Sequence, residues 1–512
     1  MLIYDNKKLI KAGENMPQVT DVVKIHRKIL TKTAQYALEG TLKENITGIP
    51  KSIVTEDGPR YRCCIHKERA VLNDRIAIAL SQPLGTNLQE AAENALSGKS
   101  TNMPIMQVLP AACDKCPIDK FIVTDACRNC VAHNCISACA KKAIMVVQNK
   151  AYMDKTKCSE CGLCKRSCSY GAIIEISRPC ERSCNLQAIT AGSDRRAVIN
   201  YEKCVQCGAC KAGCPFGAIS DRSMLVQVIN HLKNGSRVYA VVAPSIVGQF
   251  GVKVKTSQVM NALQKIGFHN VLEVAMGADI IALEETKEFL TKAIEQPGFM
   301  TTSCCPAFVD MIEKHMPNIK NQVSTTVSPM IAIGKVIKND DPDAVIVFIG
   351  PCIAKKSEII KHPGIIDYVV SFEELAALFE GANINITEIE ERTYESTASH
   401  DGNIFARAGG VLSAVLNTAK EMDPGIKILP HRCDGLENCK TALANIRDGK
   451  INANFFEGMA CEGGCIGGPG SLSDYRITSR LLDNHAEALT VKTSPENKRA
   501  LEEVNKHLHW HY

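Results

Sequence analysis

Two runs of this sequence carry the spacing C-x2-C-x2-C-x3-C. They are Cys158, Cys161, Cys164 and Cys168, and Cys204, Cys207, Cys210 and Cys214, the last followed by Pro215. Three thiolates so closely spaced wrap one face of a 4Fe-4S cube, and the fourth crosses to a partner cluster. Zinc, the competing occupant, normally takes paired C-x2-C knuckles separated by a longer loop. Two further units are irregular: Cys127, Cys130, Cys135 and Cys139 widen the second spacing, and another keeps only Cys180 and Cys184. With Cys113 and Cys116 the thiols number sixteen, so two to four accessory 4Fe-4S clusters are expected. The crossing rule groups Cys127, Cys130 and Cys135 with Cys168, then Cys158, Cys161 and Cys164 with Cys139. It also groups Cys204, Cys207 and Cys210 with Cys184, and leaves Cys180 and Cys214 to Cys113 and Cys116. A row of clusters is an electron wire, and a wire needs a terminus.

Three later loops combine cysteine with Gly, Met and Lys: TTSCCPAFV at 301–309, GPCIAKKSE at 350–358 and FEGMACEGGCIGG at 456–468. Soft thiolates suit iron, and the C-x3-C spacing lets Cys461 and Cys465 reach one cube from one turn. Gly463, Gly464, Gly467 and Gly468 let backbone approach an inorganic core closely. These loops resemble, in order, the three signature loops of FeFe-hydrogenases, and the resemblance runs from about Cys113 onward. It implies that Cys305, Cys352, Cys461 and Cys465 ligate a 4Fe-4S subcluster. Cys465 would bridge it to a two-iron subsite carrying carbonyl, cyanide and azadithiolate, together the H-cluster.

The same resemblance implies that Cys304 is not a ligand but a proton donor, a role a thiol can fill because its ordinary pKa, ~8.5, is within tuning range of neutrality. The competing reading is a buried structural cysteine. The route to it would run through Glu285, Ser324 and Glu288, with Lys292 at the outer end where the family often has arginine. The two glutamates stand three apart on an expected helix and share a face; a solvated acidic face is the alternative. Around the metal, the resemblance implies Lys355 and the pair Ala243 and Ser245 as donors to cyanide, Glu358 as the anchor of Lys355, and Met459 and Phe405 as packing. Two positions depart from the best-known subgroup: Gly350 stands where methionine commonly precedes Pro-Cys, and Met330 where glutamine is common. They suggest a divergent subgroup with altered pocket packing, and the upstream clusters imply that it is ferredoxin-linked. Cys433 and Cys439 are either a metal or redox pair or reduced structural thiols, and Cys63 and Cys64 either ligands or packing and surface residues.

These residues need elements to hold them. At 512 residues the chain is too long for one core. Residues 1–110 read as a mainly helical segment ending near SGKSTNMP, and 111–222 as an α+β ferredoxin-like cluster region built of similar units ending CAKKAI, CSYGAI, CNLQAI and CPFGAI. From 223 to 512, short apolar runs (VYAVVAP, NVLEVAM, AVIVFIGP, DYVVSF) alternate with helical patterns, the mark of an α/β two-lobed catalytic domain with mostly parallel sheets. Cys304, Cys305 and Cys352 fall at strand ends, where such sheets collect ligands. The net charge of +5 is mild and includes no basic tract, which argues against nucleic acid. The 25 cysteines would need an oxidising compartment as disulfides, yet the N-terminus lacks an apolar run, and no later run is long enough for a membrane span. The expectation is a cytoplasmic metalloprotein that interconverts protons and hydrogen, with ferredoxin as redox partner and maturation proteins installing the two-iron subsite. A non-catalytic hydrogenase-like assembly protein and a hydrogen sensor are the alternatives.

Overall fold

The computed structural model describes residues 20–99, 101–113, 116, 120–194, 196–295, 298–391, 395–506 and 508–512. The part of the lead segment that precedes residue 20 lies outside them.

The described lead segment is helical, and its longest helix shows why. Thr20 caps Asp21–Glu39 by accepting from the Val23 N–H, and Gly40 ends it in a left-handed conformation. Ile29, Leu30, Thr33, Ala34 and Ala37 form one buried stripe along it. That stripe does not close a core of its own. It joins Val238, Val242, Val347 and Phe372 in a single cluster, and it lies so close to the helix Phe372–Gly381 that a side chain on Gly381 would come within 2.9 Å of the Gln35 nitrogen. The lead helices are therefore the outer layer of the C-terminal α/β domain.

The cluster region contains the strands β1 (Met106–Val108), β2 (Phe121–Val123), β3 (Ile144–Val147), β4 (Lys150–Met153), β5 (Ile173–Glu175), β6 (Ile189–Ala191), β7 (Ala197–Ile199) and β8 (Ile219–Asp221). All pairs are antiparallel: β1 with β8, β2 with β5, β3 with β4 and β6 with β7. The repeats are thus nested rather than consecutive. One unit, β2 to β5, is inserted between β1 and β6 of the other, and β1 lies inside the stretch read as lead segment. Each repeat runs from a short helix through a cysteine to a strand, and the third residue after that cysteine is left-handed: Lys142, Gly171, Gln187 and Gly217.

The C-terminal α/β domain holds β9 (Val238–Val242), β10 (Asn270–Glu273), β11 (Met300–Thr301), β12 (Val345–Ile349), β13 (Tyr368–Val370), β14 (Pro430–Asp434) and β15 (Phe455–Met459). They form two sheets, ordered β10-β9-β12-β13 and β11-β15-β14, in which every pair is parallel. Parallel strands feed all their following loops to one edge. The first sheet delivers the 243–245 and 350–352 loops, the second the 302–305 and 460–465 loops.

A buried ion network fastens the cluster region to the C-terminal α/β domain. Lys356 Nζ, with no exposure, donates to Asp221 Oδ2 at 2.8 Å, Glu374 Oε1 at 3.0 Å and the Arg222 carbonyl at 2.8 Å. Breaking a buried pair from one side strands the charges left behind. Lys356→Met is expected to destabilise the protein by about 3 kcal/mol, read as a lower urea midpoint; an unchanged midpoint would mean the network carries no net stability.

Candidate metal centre and proton route

Cys305 is the N-cap of the helix Pro306–His315, Cys352 stands just ahead of Ala354–Lys361, and Cys461 and Cys465 flank the turn after β15. That turn needs glycine at Gly464, whose φ is +87° and whose added Cβ would lie 2.6 Å from the Ala408 nitrogen. The four thiols converge. Burial, then Cys305 and Cys465, push the Cys352 thiol up; burial, then Cys352, Cys305 and Cys207, do the same at Cys461. Cys465 is pushed up to about 12 by burial and Cys305, against Lys355. The side chains retain partial accessibility although burial dominates their electrostatics, as expected of groups lining an internal hollow. Thiols raised in this way ionise together only when a cation joins them, and iron is the cation this donor set suits. Among the described residues no three His, Cys, Asp or Glu side chains close on a single ion. A four-iron cube holds its thiolates further apart than one ion does.

Of the residues expected to surround the metal, Lys355, Phe405 and Met459 lie beside these cysteines. Lys355 Nζ donates to Glu358 Oε2 at 2.8 Å, and Tyr512 Oη donates to the other Glu358 oxygen at 3.1 Å. Ser245 is fully buried and its Oγ has no hydrogen-bond partner, an orphan consistent with an acceptor supplied by a bound group. Phe405 and Met459 pack with Cys304 and Cys305. Gly350 has a steric reason: a Cβ there would meet the Phe348 ring at 2.6 Å and Ala243 at 3.1 Å. Met330 is fully buried in the apolar core beneath.

Cys304 adjoins a carboxyl chain. Its thiol is pushed well above the ordinary value by burial and then by Glu285. Glu285 is fully buried and is itself pushed up to about 8, by burial first and the Glu288 charge second. The Ser303 N–H donates to its Oε1 at 3.2 Å, Ser324 lies beside it and draws it down, and its buried Oε2 has no hydrogen-bond partner. Ser324 Oγ donates to Glu288 Oε2 at 2.7 Å. Burial alone would raise Glu288, but Lys292, Ser324 and Thr325 outweigh it and keep the carboxyl below its ordinary value. Adjacent carboxyls of opposite protonation preference are the arrangement a proton relay needs.

Several of the accessory cysteines lie near one another. Burial and then Cys168 raise the Cys135 thiol, with Cys130 beyond; Cys164 responds after burial to Cys158 and Cys139. Cys210 feels Cys207, Cys204 and Cys184, and Cys180 feels Cys214, Cys113 and Cys116. Cys127 and Cys161 sit at the outer unit's surface, where backbone N–H groups draw their thiols down. Backbone N–H groups of Ala143, Ala188 and Ala218 point at Cys139, Cys184 and Cys214 sulfurs at 3.3 Å each, contacts of the kind that tune a cluster. The 184/204/207/210 set borders the thiols of the C-terminal domain: Cys207 is among the neighbours of Cys305, and a Cβ on Gly208 would meet Ile353 at 2.7 Å.

Cys439 is fully buried and its S–H reaches the Cys433 and Met459 carbonyls at 3.4 and 3.5 Å, a structural thiol's contacts. Cys63 is exposed and Cys64 precedes the helix Ile65–Ala79. Sequence reading passed over Glu457, which is fully buried in β15 and accepts from the Gly409 and Leu412 N–H groups at 2.6 Å each. Burial pushes it up to about 7, and its charge reaches Cys304 and Cys465. Its signal was a lone acid inside an apolar run.

Residues 236–469 match the family model described as iron only hydrogenase large subunit, C-terminal domain, and 197–220 match a 4Fe-4S binding domain. The chain is 29% identical over 408 residues to iron hydrogenase 1 of Clostridium pasteurianum, covering 67% of this chain and 70% of that one. It is 30% identical over 336 residues to the periplasmic [Fe] hydrogenase large subunit of Nitratidesulfovibrio vulgaris, covering 53% of this chain and 79% of that one. The cytosolic iron-sulfur assembly component 3 of Rattus norvegicus is 26% identical over 304 residues, covering 48% of this chain and 63% of that one. With its thiol-lined centre and 4Fe-4S region, this chain is a divergent member of the iron-only (FeFe) hydrogenase family.

Proposed function

We propose that the protein is an FeFe-hydrogenase catalysing the reversible reaction of two protons and two electrons to H2. The observation that carries this reading is the row Glu288, Ser324 and Glu285, in which Ser324 donates to Glu288 and lies beside the buried Glu285 carboxyl next to Cys304. An electron-storage protein needs no such route. The H-cluster, when bound by Cys305, Cys352, Cys461 and Cys465, supplies the redox chemistry and the site of bond formation. The chain does the rest. Lys355, held by Glu358, and Ser245 bind and orient the group. Phe405 and Met459 exclude water. Glu288 takes up a proton, Ser324 passes it to Glu285, and Glu285 loads the Cys304 sulfur, which presents it to the hollow. Electrons arrive along the accessory clusters, the 184/204/207/210 set being last, from a ferredoxin docking near the outer unit. Maturation proteins supply the two-iron subsite, and the setting is the cytoplasm; among the described residues no helix is long and apolar enough to cross a membrane.

The likeness to an assembly component favours a second reading, a non-catalytic iron-sulfur assembly protein. Such a protein has no use for Cys304 or for a buried carboxyl relay. Matured, anaerobic protein is expected to evolve H2 from reduced methyl viologen, measured by gas chromatography. Protein that holds its iron but yields none would favour the assembly reading; the third alternative, a hydrogen sensor, has no observation behind it here.

A further inference from the structure

The hydrogen bonds around Glu288 continue outward past Lys292. The two carboxylate oxygens face opposite ways. Oε2 accepts from Ser324, toward Glu285, whereas Oε1 accepts from Thr325 Oγ1 at 3.1 Å and pairs with Lys292 Nζ at 2.7 Å, toward solvent. Thr325 Oγ1 lies 2.8 Å from Nδ1 of His511, and His511 Nε2 lies 3.7 Å from Glu284 Oε2. The His511 side chain is 43% exposed and that of Glu288 only 9%. His511 is also held in place. The Tyr512 N–H donates to the Thr325 carbonyl at 2.9 Å, the Val327 N–H donates to the Trp510 carbonyl at 2.8 Å, and Trp510, the only tryptophan, is buried beneath. His511 and Thr326 thereby pair as an antiparallel bridge.

We propose that His511, acting through Thr325, is where protons enter the route to Cys304. This deepens the hydrogen-chemistry reading and rests on it for its purpose. The choice between His511 and Lys292 follows from bonding capacity. An ammonium has donors and no acceptor, so Lys292 fixes the Glu288 charge but cannot collect a proton while it holds its own. An imidazole takes a proton at one nitrogen and releases one from the other, and a threonine hydroxyl accepts and donates at once. Water delivers a proton to Nε2, at the exposed edge beside Glu284. Nδ1–H then passes its proton to Thr325 Oγ1 as the threonine O–H passes its own to Glu288 Oε1. One proton enters and one leaves, no electron moves, and exchange with water restores the resting tautomer.

The test uses matured protein buffered on the alkaline side of the Glu285 value of about 8. A laser flash releases protons from a caged compound, and the infrared C=O band of the protonated carboxyl, assigned by its loss in Glu285→Gln, is followed in time. His511→Ala is expected to slow the rise of that band about tenfold or more, and imidazole added to the buffer to restore it. Thr325→Val should slow it equally, without rescue. H2 evolution by His511→Ala should fall and recover in parallel. An unslowed band in His511→Ala, or a slow one that imidazole leaves slow, overturns the assignment; so does Lys292→Ala producing the whole effect. Because the band is read without turnover, the relay can stand where the hydrogenase reading fails, and the reverse.

Discussion

Cys304→Ala is expected to lower H2 evolution by a factor of at least about 100, the smaller end of what a positioned acid or base contributes. Iron content and urea midpoint should stay close to those of the parent, because Cys304 is not among the four ligands and alanine leaves only a small hollow in a site already lined by one. The thiol is the last group of the chain that carries a proton before the metal. Glu285, its buried carboxyl neighbour on the relay side, keeps its own proton below about pH 8, and alanine offers no group to carry that proton onward. Full turnover in Cys304→Ala, measured against reduced viologen, would remove the proton route as drawn.

Glu285→Gln is expected to change both rate and stability, with a definite pH signature. In the folded protein burial pushes Glu285 up to about 8 from an ordinary 4.5. The native state therefore keeps a proton that the unfolded chain gives up above pH 4.5. The stability tied to that group is complete below 4.5 and is lost as pH rises through about 8, at most about 5 kcal/mol. Glutamine is neutral throughout and removes this slope, so the variant should gain on the parent steadily between pH 4.5 and 8. Asp279 and Glu457, pushed by burial to about 6 and about 7, leave the same residual slope in both proteins. Turnover should fall together with this gain, because a carboxamide cannot take a proton from Ser324 and hand it on. Urea midpoints of the two proteins measured across that range decide it; parallel curves would mean that Glu285 is ionised in the fold.

Much of this was legible in the chain. The apolar runs ahead of Ala243, Val274, Gly350 and Ser371 are strands because β-branched residues filled them on both faces, the pattern of a parallel sheet covered on each side. The second sheet was not legible for physical reasons. β11 has two residues, too few for a period, and β14 reads PHRCD, polar and half-exposed, which is indistinguishable from a loop. Nesting of one cluster unit inside the other was hidden too, because spacing records neighbours along the chain and not which strands pair. Lys142 and Gln187 adopt the left-handed conformation that Gly171 and Gly217 occupy in sister repeats, so the repeat looked less regular than it is. The site was read more fully than the fold, since its cysteines announce themselves. What escaped were groups acting through one hydrogen bond from distant positions: Glu457, Thr325, and the 511–512 pair that meets Thr325 and Glu358. No local pattern links residue 512 to residue 358.

The central claim is that Cys305, Cys352, Cys461 and Cys465 hold an H-cluster rather than a bare cube. Infrared spectroscopy of the matured, anaerobic protein tests it most directly, because iron-bound carbonyl and cyanide absorb in a window where protein does not. Sharp carbonyl and cyanide bands are expected, and they should disappear in Cys465→Ala. Protein loaded with iron and exposed to the maturation system that shows no such bands would contradict it, and would leave the chain an iron-sulfur protein of the assembly kind.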